Sequence, residues 1–260
     1  MSMKYLGETF DLHTGGIDNL FPHHENEIAQ SEAANGCPLA NFWVHNAFVN
    51  IDGEKMSKSL GNFFTIRDIV KKYPYNVIRF FILLGHYRSP INFSDELLAA
   101  AQTSLGRISN CVLQIKFALE NGADSHPSDS ETTAKLKEAV KAAEESFVAH
   151  MDDDLNTADA ITDIFNLVSE TNRALAADDA SAEALKLAGD KITELTGVLG
   201  VTLDEAKEEI PAEVMELAEK RAAAKKEKNF AEADRIRDEI TALGYSIKDT
   251  PKGPQLEKIK

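Results

Sequence analysis

The first part of the chain alternates between strand-like and helix-like patterns of apolar residues. In residues 7–18, GETFDLHTGGID, a short apolar and β-branched run ends in two glycines, which predicts a strand followed by a loop. Pro22 suits the first position of a helix that continues through HHENEIAQSEAA, and Asn35-Gly36 predicts its end.

Residues 41–52, NFWVHNAFVNID, alternate apolar and polar positions like a strand, and the Asp-Gly pair at its end predicts a turn. Helical spacing follows in residues 65–73 and 75–87, on either side of Pro74. Strands and helices that alternate in this way are typical of an α/β domain.

From Ser94 onward the pattern is helical. Ser94 suits a helix N-cap because Asp95 and Glu96 follow it in the first turn. Apolar residues then recur at three- and four-residue spacing, and no strand pattern interrupts them between residues 95 and 205. The predicted helices lie in the segments 96–120, 133–151, 156–176 and 180–200. We therefore predict an all-helical bundle after the α/β part.

The last 50 residues have a different pattern. Residues 211–243 predict a hairpin of two charged helices. Asn229 suits the N-cap of the second helix, with Glu232 three residues on as in a capping box, and Gly244 ends that helix. Residues 245–255, YSIKDTPKGPQ, predict a short strand and a turn.

The net charge of −15 lies in the middle of the chain. Residues 1–94 hold 8 Lys and Arg against 9 Asp and Glu, residues 95–210 hold 9 against 24, and residues 211–260 hold 11 against 10. A phosphate-binding surface is therefore compatible with either end of the chain and disfavoured over most of the middle.

Composition predicts a cytoplasmic protein that has no membrane partner. No apolar run approaches the ~20 residues that a membrane span needs, and the first ten residues lack the apolar core of a signal peptide. Cys37 and Cys111 are too few for a disulfide framework, and Cys111, within an apolar helix, is expected in the core.

Residues 52–60, DGEKMSKSL, which we call the lysine loop, place two lysines and two serines directly after a glycine turn. Lysine is a compact point charge that can follow the charge developing on a phosphate during displacement. Lys55, Ser57, Lys58 and Ser59 therefore offer donors to a polyanion. The alternative is a solvated basic turn, which is the more common structure where two lysines occur at this spacing.

The stretch FPHHENE is a candidate metal site. On the predicted helix His23 and Glu27 stand four residues apart and share a face, whereas His24 and Glu25 are expected to point elsewhere. An imidazole and a carboxylate at this spacing can bind one zinc ion, but zinc sites usually take three or four protein ligands. The alternative is an intrahelical His–Glu pair.

The stretch HTGGID is a third, weaker candidate. Gly15 and Gly16 permit close approach of the backbone to a ligand, and Asp18 can accept hydrogen bonds from ribose hydroxyls. Loops of two glycines followed by aspartate are common, so this stretch alone does not define a site.

Taken in their order, these stretches resemble one family. DLHTGGIDNLFPHHENEIAQSEA, followed by WVHNAFVNIDGEKMSKSLGNFFTIRDIV, is similar to the second half of the catalytic domain of cysteinyl-tRNA synthetases. KMSKS is the signature of class I synthetases, and its flanking residues narrow the match to this family. The resemblance continues through RFFILLGHYRSPINFS, MDDDLNTADAI and KKEKNFAEADRIRDEI, and so covers essentially the whole chain.

The resemblance implies roles for the candidate residues. It gives Lys58 a catalytic role in contact with ATP, Lys55 an assisting catalytic role at the phosphates, and Asp18 the contact with ribose. The remaining members of the implied ATP-binding set are Ser57, Ser59, Gly15 and Gly16.

The resemblance also makes His23 and Glu27 zinc ligands. In the family this zinc binds the thiolate of the substrate cysteine and selects cysteine over serine, since zinc favours a deprotonated sulfur over a hydroxyl.

The fold that the resemblance implies is α/β followed by all-α. Its parts are a portion of a Rossmann-type catalytic domain (1–50), the KMSKS loop with a stem-contact region (51–94), an anticodon-binding helical bundle (95–205) and a C-terminal hairpin (206–260). Five cations of the hairpin are expected to approach the anticodon loop, namely Lys225, Lys226, Lys228, Arg235 and Arg237. The alternative for them is a solvated helix face with alternating charges.

The implied activity is that of a monomeric ligase with three substrates: cysteine, ATP with Mg2+, and tRNA(Cys). The family's HIGH histidine motif and two further zinc-binding cysteines do not occur in this sequence. We therefore expect an N-terminally truncated enzyme that is inactive alone and has an incomplete zinc site. The alternatives are a related ligase that joins cysteine to an aminosugar, and a non-catalytic fragment that binds tRNA.

Overall fold

The computed structural model has two compact units, residues 1–203 and residues 204–260. The described residues are 2–51, 53–56, 65–121, 127–203, 212–226, 229–250 and 253–258. The first unit has α/β structure followed by helices, as the sequence predicted. The finer division of this unit at residues 50 and 94 remains a prediction.

A pair of parallel strands begins the first unit. After the short helix α1 (Ser2–Leu6), strand β1 (Phe10–Gly16) pairs with strand β2 (Ala40–Asn46). The predicted strand and helix in this region are confirmed, but the helix does not start at Pro22. The connection instead contains a 3-10 turn (Ile17–Asn19) and a wider helical turn (Leu20–His24).

Helix α2 (Glu25–Asn35) follows the wider turn and ends where the sequence predicted. Gly36 has a φ of +70° and its N–H bonds to the carbonyl of Glu32, which is the usual glycine cap of a helix C-terminus.

The predicted strand over residues 41–52 is two strands that belong to different sheets. β2 ends at Asn46, and β3 (Val49–Ile51) lies between β4 (Glu54–Lys55) and β5 (Ile91–Phe93) in a second sheet. Between them, the backbone N–H of Ala47 donates to the carbonyl of Tyr87 at 2.8 Å. The chain therefore leaves the first sheet through a bond to a loop, a change that the alternation of apolar residues does not reveal.

The two helices before the bundle are shorter than predicted. α3 (Ile66–Ile69) is a single turn, and α4 (Tyr75–Leu83) ends four residues before the predicted boundary. The Thr65 side chain donates to Asp68 at 2.7 Å, and this bond, together with Lys71, lowers the pKa of Asp68 to about 2.

Four long helices form the predicted bundle. They are α5 (Asp95–Glu120), α6 (Glu131–Asp152), α7 (Thr157–Ala177) and α8 (Ala182–Val198). Each begins at a side-chain cap that accepts from a backbone N–H of the first turn; the caps are Ser94, Ser130, Asn156 and Ser181. These bonds satisfy backbone donors that a helix leaves free, so the predicted helix starts follow from the cap residues.

The apolar faces of α4 to α8 meet in one core. Its largest fully buried members are Phe80, Leu98, Ile108, Leu136, Ile161, Ile164, Leu167, Ile192, Val168 and Val201. Cys111 belongs to this core, as predicted, and burial raises the pKa of its thiol to about 12. Cys37 is half-buried, and both thiols are free. In the described part of the chain, no helix is long and apolar enough to cross a bilayer.

The second unit is a helical hairpin followed by a strand hairpin. α9 (Ala212–Lys226) and α10 (Phe230–Ala242) confirm the predicted helices, while the tail forms two antiparallel strands, β6 (Tyr245–Thr250) and β7 (Gly253–Lys258), rather than one. A small core joins helices and strands through Val214, Leu217, Ala218, Ile236, Ile240 and Tyr245.

Asn229 caps α10 by accepting from the N–H of Glu232 at 3.3 Å. The carboxylate of Glu232 binds Arg235 at 2.7 Å, so the structure confirms the cap and shows that Glu232 has a different partner from the one a capping box would give it.

A buried carboxylate joins α6 to α7. Asp163 is 6% exposed and accepts from the Ser146 hydroxyl at 2.9 Å, and its other oxygen lies 2.7 Å from Nδ1 of His150. The bond to this carboxylate raises the pKa of His150. A group whose pKa is higher in the folded state than in the unfolded state stabilises the fold. This stabilisation is complete at a pH below the unfolded-state pKa and is lost as the pH rises through the folded-state pKa.

We therefore predict that His150→Gln destabilises the chain more at about pH 6 than at about pH 9. The free energy of unfolding, measured by urea denaturation followed by circular dichroism, gives the difference between the wild type and the variant at each pH. Val148→Ala, an exposed change on the same helix, is the control and should show no pH dependence. A loss for His150→Gln that is the same at both pH values would contradict the role of the ion pair.

Candidate functional site

The parallel strands place four chemically distinctive residues on one face. Residues two apart on a strand share a face, and the register pairs His13 with Trp43 and Gly15 with His45. The His13 and Trp43 rings stack at 4.6 Å between centroids, and Trp43 and His45 lie parallel at 6.3 Å. This face is therefore lined by imidazole and indole rings.

His24 packs onto this face from the wider helical turn. It is 3% exposed, and its ring centroid lies 4.7 Å from that of His13 and 5.1 Å from that of Trp43. Nδ1 of His24 lies 2.8 Å from Nε2 of His45, so one of these nitrogens donates to the other. Burial lowers the pKa of His24, and the neighbouring imidazoles of His13 and His45 lower it further.

Gly15 is required by this packing. A β-carbon added there would lie 2.6 Å from Cε1 and 2.9 Å from Nε2 of His24, closer than a side chain permits. The sequence had suggested that the glycines make room for a ligand. At Gly15 the structure uses the space for the imidazole of His24.

Glu27 links this cluster to the surface of α2. Its Oε2 lies 2.7 Å from Nε2 of His13, and its Oε1 lies 3.6 Å from Nε2 of His23. His23 and Glu27 thus share a helix face as the sequence predicted, and their separation is that of an intrahelical pair. His23 is exposed, whereas His13 is half-buried.

Three donors converge closely enough to hold a metal ion. One ligand atom from each of His13, His24 and Glu27 lies within 4.8 Å of the other two. The expectation that His24 points away from Glu27 is therefore wrong, because residues three apart on a helix are neighbours and His24, which has α-helical dihedral angles, stands three residues before Glu27. Two imidazoles and one carboxylate are a donor set that catalytic zinc sites use with an open fourth position.

The predicted pair His23 and Glu27 remains a prediction, and the convergence adds His13 and His24 to the candidates. The bond to His45 uses Nδ1 of His24 and leaves its Nε2 as the nitrogen that a cation can bind.

The lysine loop is described only in part. Gly53 has a φ of +84° and forms the predicted turn between β3 and β4, and its N–H donates to the side-chain oxygen of Asn92 at 2.7 Å. Lys55 lies in β4. Ser57, Lys58 and Ser59 lie outside the described residues, so their predicted roles stay predictions.

Asp18 lies in the 3-10 turn directly after β1 and is exposed. A β-carbon on Gly16 would lie 2.5 Å from Oδ1 of Asp18, so this glycine lets the carboxylate fold back over the end of the strand. Ribose binding by Asp18 remains a prediction.

Two of the five cations predicted to approach tRNA form ion pairs in the described part of the C-terminal unit. Arg235 lies 2.7 Å from Glu232 and 3.4 Å from Glu239, and Arg237 lies 3.3 Å from Asp234. These are the alternating charges of a solvated helix face, the alternative that the sequence left open. Lys225 and Lys226 end α9, and Lys228 lies outside the described residues. Contacts of these cations with tRNA remain predictions.

Sequence reasoning did not select His13, Trp43 or His45. A signal was present in the second predicted strand, where Trp43 and His45 stand at alternating positions and therefore share a face, whereas the first strand carries the single imidazole of His13. The register that joins the two faces is not visible in the sequence.

Three family models match the chain. The model described as tRNA synthetases class I (C) catalytic domain matches residues 1–103, the DALR domain matches residues 146–204, and the cysteinyl-tRNA ligase anticodon binding domain matches residues 207–255.

Solved structures show the same fold at low identity. A leucyl-tRNA synthetase of Agrobacterium radiobacter, in a ternary complex with tRNA and LeuAMS, aligns with a TM-score of 0.60 at 19% identity, over 72% of this chain and 25% of that one. A Mycobacterium tuberculosis methionyl-tRNA synthetase with methionyl-adenylate aligns with a TM-score of 0.54 at 18% identity, over 74% of this chain and 40% of that one. The fold and the domain matches together define the chain as part of a class I aminoacyl-tRNA synthetase.

Curated relatives narrow this class. The cysteine–tRNA ligase of Caldicellulosiruptor saccharolyticus is 52% identical over 262 aligned positions, which cover 100% of this chain and 55% of the relative. The cysteine–tRNA ligase of Clostridioides difficile is 44% identical, again over 100% of this chain and 55% of the relative. The chain belongs to the cysteine–tRNA ligase family and spans about half the length of the curated relatives it matches.

We predict that the purified chain takes up zinc and that Glu27→Gln weakens this binding at least about tenfold, because the carboxylate is shared by both candidate donor sets. Competition with a chromogenic chelator measures the affinity. Glu25→Gln, an exposed change two residues away, is the matched control.

His13→Asn and His23→Asn then separate the two donor sets. A loss of zinc affinity confined to His23→Asn would support the pair from the family resemblance, and one confined to His13→Asn would support the cluster seen in the structure. Equal affinity of the Glu25→Gln and Glu27→Gln variants would exclude both.

We also predict that Gly15→Ala lowers the free energy of unfolding of the strand pair by about 1–3 kcal/mol, because the new methyl group and His24 compete for the same space. Trp43 is the only tryptophan of the chain and touches His24, so its fluorescence during urea denaturation reports on this site. Gly106→Ala, whose β-carbon would meet nothing within 4 Å, is the control. Equal midpoints for the two variants would contradict the close contact.

Proposed function

We propose that this chain is the part of a cysteine–tRNA ligase that carries the ATP-handling lysine loop and the tRNA-binding helices. The observation that carries the proposal is the identity of 44–52% with cysteine–tRNA ligases over 97–100% of the chain. The match of residues 207–255 to a cysteinyl-tRNA anticodon binding domain supports the same assignment.

The proposed reaction has two steps. An oxygen of the cysteine carboxylate attacks the α-phosphorus of Mg2+-bound ATP, a bond to the bridging oxygen breaks, and pyrophosphate leaves. A ribose hydroxyl at the end of tRNA(Cys) then attacks the carbonyl of the adenylate and displaces AMP. Lys58, with Lys55, Ser57 and Ser59, is proposed to hold the phosphates and to offset the negative charge that develops in the first step.

Glu27, His13 and His24, with His23 from the family resemblance, are the proposed residues for a zinc ion. When bound, zinc supplies a Lewis acid that takes a thiolate far more readily than a hydroxyl. Two residues next to the proposed zinc site position its ligand His24. His45 binds Nδ1 of His24 and so orients the ring, and the Gly15 backbone lets that ring sit against the strand.

Aromatic and imidazole rings also pack around the proposed zinc-binding residues. Trp43 stacks on His13 at 4.6 Å, and His24 is buried between the strands and the turn. Aromatic and imidazole rings beside a bound thiolate strengthen its electrostatic interactions, because they lower the local dielectric constant.

The proposal extends to the partners. We propose tRNA(Cys) as the nucleic acid, recognised in part by cations of the C-terminal unit, and a cytoplasmic monomer as the working state. Most of the chain's negative charge lies in residues 95–210, so tRNA contacts are proposed for the C-terminal hairpin rather than for the bundle surface.

Two alternatives have less support. A ligase that joins cysteine to an aminosugar would need no anticodon-binding unit, and residues 207–255 match one. A non-catalytic tRNA-binding fragment would retain the bundle without adenylate chemistry, and the activity measurement below distinguishes it.

The experiment is ATP–pyrophosphate exchange driven by cysteine. We expect no exchange with the chain alone. We expect exchange when the chain replaces the region of the C. saccharolyticus relative that aligns with it. Serine in place of cysteine is the substrate control, and an aminosugar acceptor tests the first alternative.

In this chimera, Lys58→Ala should lower the rate of exchange by about a hundredfold or more, since it removes a donor to the developing charge. Binding of tRNA, measured by filter retention, should change little. Lys186→Ala, an exposed change on α8, is the matched control. An equal loss of exchange and of tRNA binding would contradict the role given to Lys58. A chimera that binds tRNA without exchange would favour the fragment.

A further inference from the structure

The loop between α6 and α7 has an unusual backbone. Asp154 and Leu155 have φ angles of 58° and 55°. Aspartate tolerates this left-handed region, but the conformation is rare for a bulky side chain such as leucine. Leu155 is exposed, so burial of its own side chain does not account for it. Such backbone conformations persist where contacts with the surrounding structure hold them in place, and this loop has such contacts.

The carboxylate of Asp154 binds a single short segment with both oxygens. The Tyr87 hydroxyl donates to Oδ1 at 2.6 Å, and Arg88 Nε lies 2.8 Å from Oδ2. Arg88 Nε also donates to the Tyr87 hydroxyl at 2.9 Å, and Nε2 of His86 lies 3.9 Å from Oδ2. Three consecutive side chains, 86–88, therefore converge on one carboxylate.

This arrangement differs from an ordinary surface ion pair. Asp154 and the segment that it binds are more than sixty residues apart in the chain, so the bonds join separate elements. A second bond on the other side of the loop reinforces them, because the Thr157 hydroxyl donates to the carbonyl of Leu83 at 2.9 Å. The bundle loop thus binds both ends of the segment 83–88.

Segment 83–88 and the residues after it are hydrogen-bonded to the chain between β2 and β3. The carbonyl of Tyr87 accepts from the N–H of Ala47 at 2.8 Å, at the point where the chain leaves the first sheet. Four residues after Tyr87, Ile91 begins β5 and its N–H donates to the carbonyl of Phe48 at 3.0 Å. β5 then pairs in parallel with β3. The position of segment 83–88 therefore fixes where β3 lies.

β3 carries the turn of the lysine loop. Asn50 of β3 pairs with Lys55 of β4, and Asn92 of β5 accepts from the N–H of Gly53 within the turn. The described start of the lysine loop is thus bonded to β5 on one side and to β3 on the other.

We propose that Asp154 is a positioning residue, which fixes the β3–β4 turn to the helical bundle through Tyr87 and Arg88. Every link in this series is a hydrogen bond, an ion pair or a strand pairing within residues 1–203. The helices that follow the loop and the β3–β4 turn are thereby held in one geometry, so a shift of the bundle moves this turn. The consequence for catalysis rests on the proposed function, which gives the lysines after the turn their role at ATP.

The test is amide hydrogen exchange of the full chain, measured residue by residue by NMR. Asp154→Asn keeps the size of the side chain and its tolerance of a positive φ, but removes the charge and one acceptor. We expect the amides of Ala47, Gly53 and Ile91 to exchange about tenfold faster, because their bonds depend on the loosened segment. Asp153→Asn, an exposed change one residue earlier, is the matched control and should have no effect.

Two further measurements separate positioning from general stability. The amide of Ile164, in the buried core of α7, should keep its exchange rate in Asp154→Asn. Adding Tyr87→Phe to Asp154→Asn should accelerate exchange little beyond the single variants, because both remove the same link. Equal effects of the Asp153 and Asp154 variants, equal acceleration at Ile164, or fully additive effects would each overturn the proposal.

A kinetic measurement connects the link to the reaction. In the ligase chimera, Asp154→Asn should raise the KM for ATP severalfold in cysteine-driven exchange and leave tRNA retention unchanged. An unchanged KM would overturn the catalytic consequence. A chimera without exchange in its unaltered form would contradict the proposed function alone, because the hydrogen-exchange result does not depend on catalysis.

Discussion

The parallel register between β1 and β2 is the constraint on which the candidate site depends. It sets His13 beside Trp43 and Gly15 beside His45, so that four alternating positions form one face. Because side chains alternate strictly along a strand, a slip of β1 by one residue would turn His13 and Gly15 to the face opposite to Trp43 and His45. The histidine cluster is thus a property of strand pairing before it is a property of any single residue.

The buried ring of His24 connects the strand register to the position of the candidate metal ligands. A buried imidazole without a partner would cost about 1–3 kcal/mol, and the bond to His45 removes that cost. The ring can reach His45 only because Gly15 has no side chain. Once His24 is fixed, the start of α2 is fixed with it, and Glu27 is brought against His13. Strand, turn and helix are therefore linked through one ring.

The sequence predicted the bundle well because its signals are local. Serine and asparagine caps mark the starts of the helices, and apolar spacing persists over several turns. It predicted the region around the site less well. Alternation continues across Ala47 although the chain changes sheets there, because the deciding bond comes from Tyr87, forty residues away. Likewise, the predicted metal pair used the four-residue spacing of His23 and Glu27, although His24, three residues before Glu27, also lies on that side of a helix. His13 joins them from a strand, which local spacing does not reveal.

The two thiols of the chain differ in a way that gives a practical tool. Cys111 is buried in the bundle and its thiol has a pKa of about 12, so almost none of it is thiolate at neutral pH. Cys37 is half-buried and lies just beyond the end of α2. A maleimide dye should therefore label Cys37 selectively without any engineered mutation. The dye would lie near the C-terminal end of α2, the helix that carries Glu27. A change in its fluorescence on addition of zinc would report binding at the histidine cluster without altering the cluster itself.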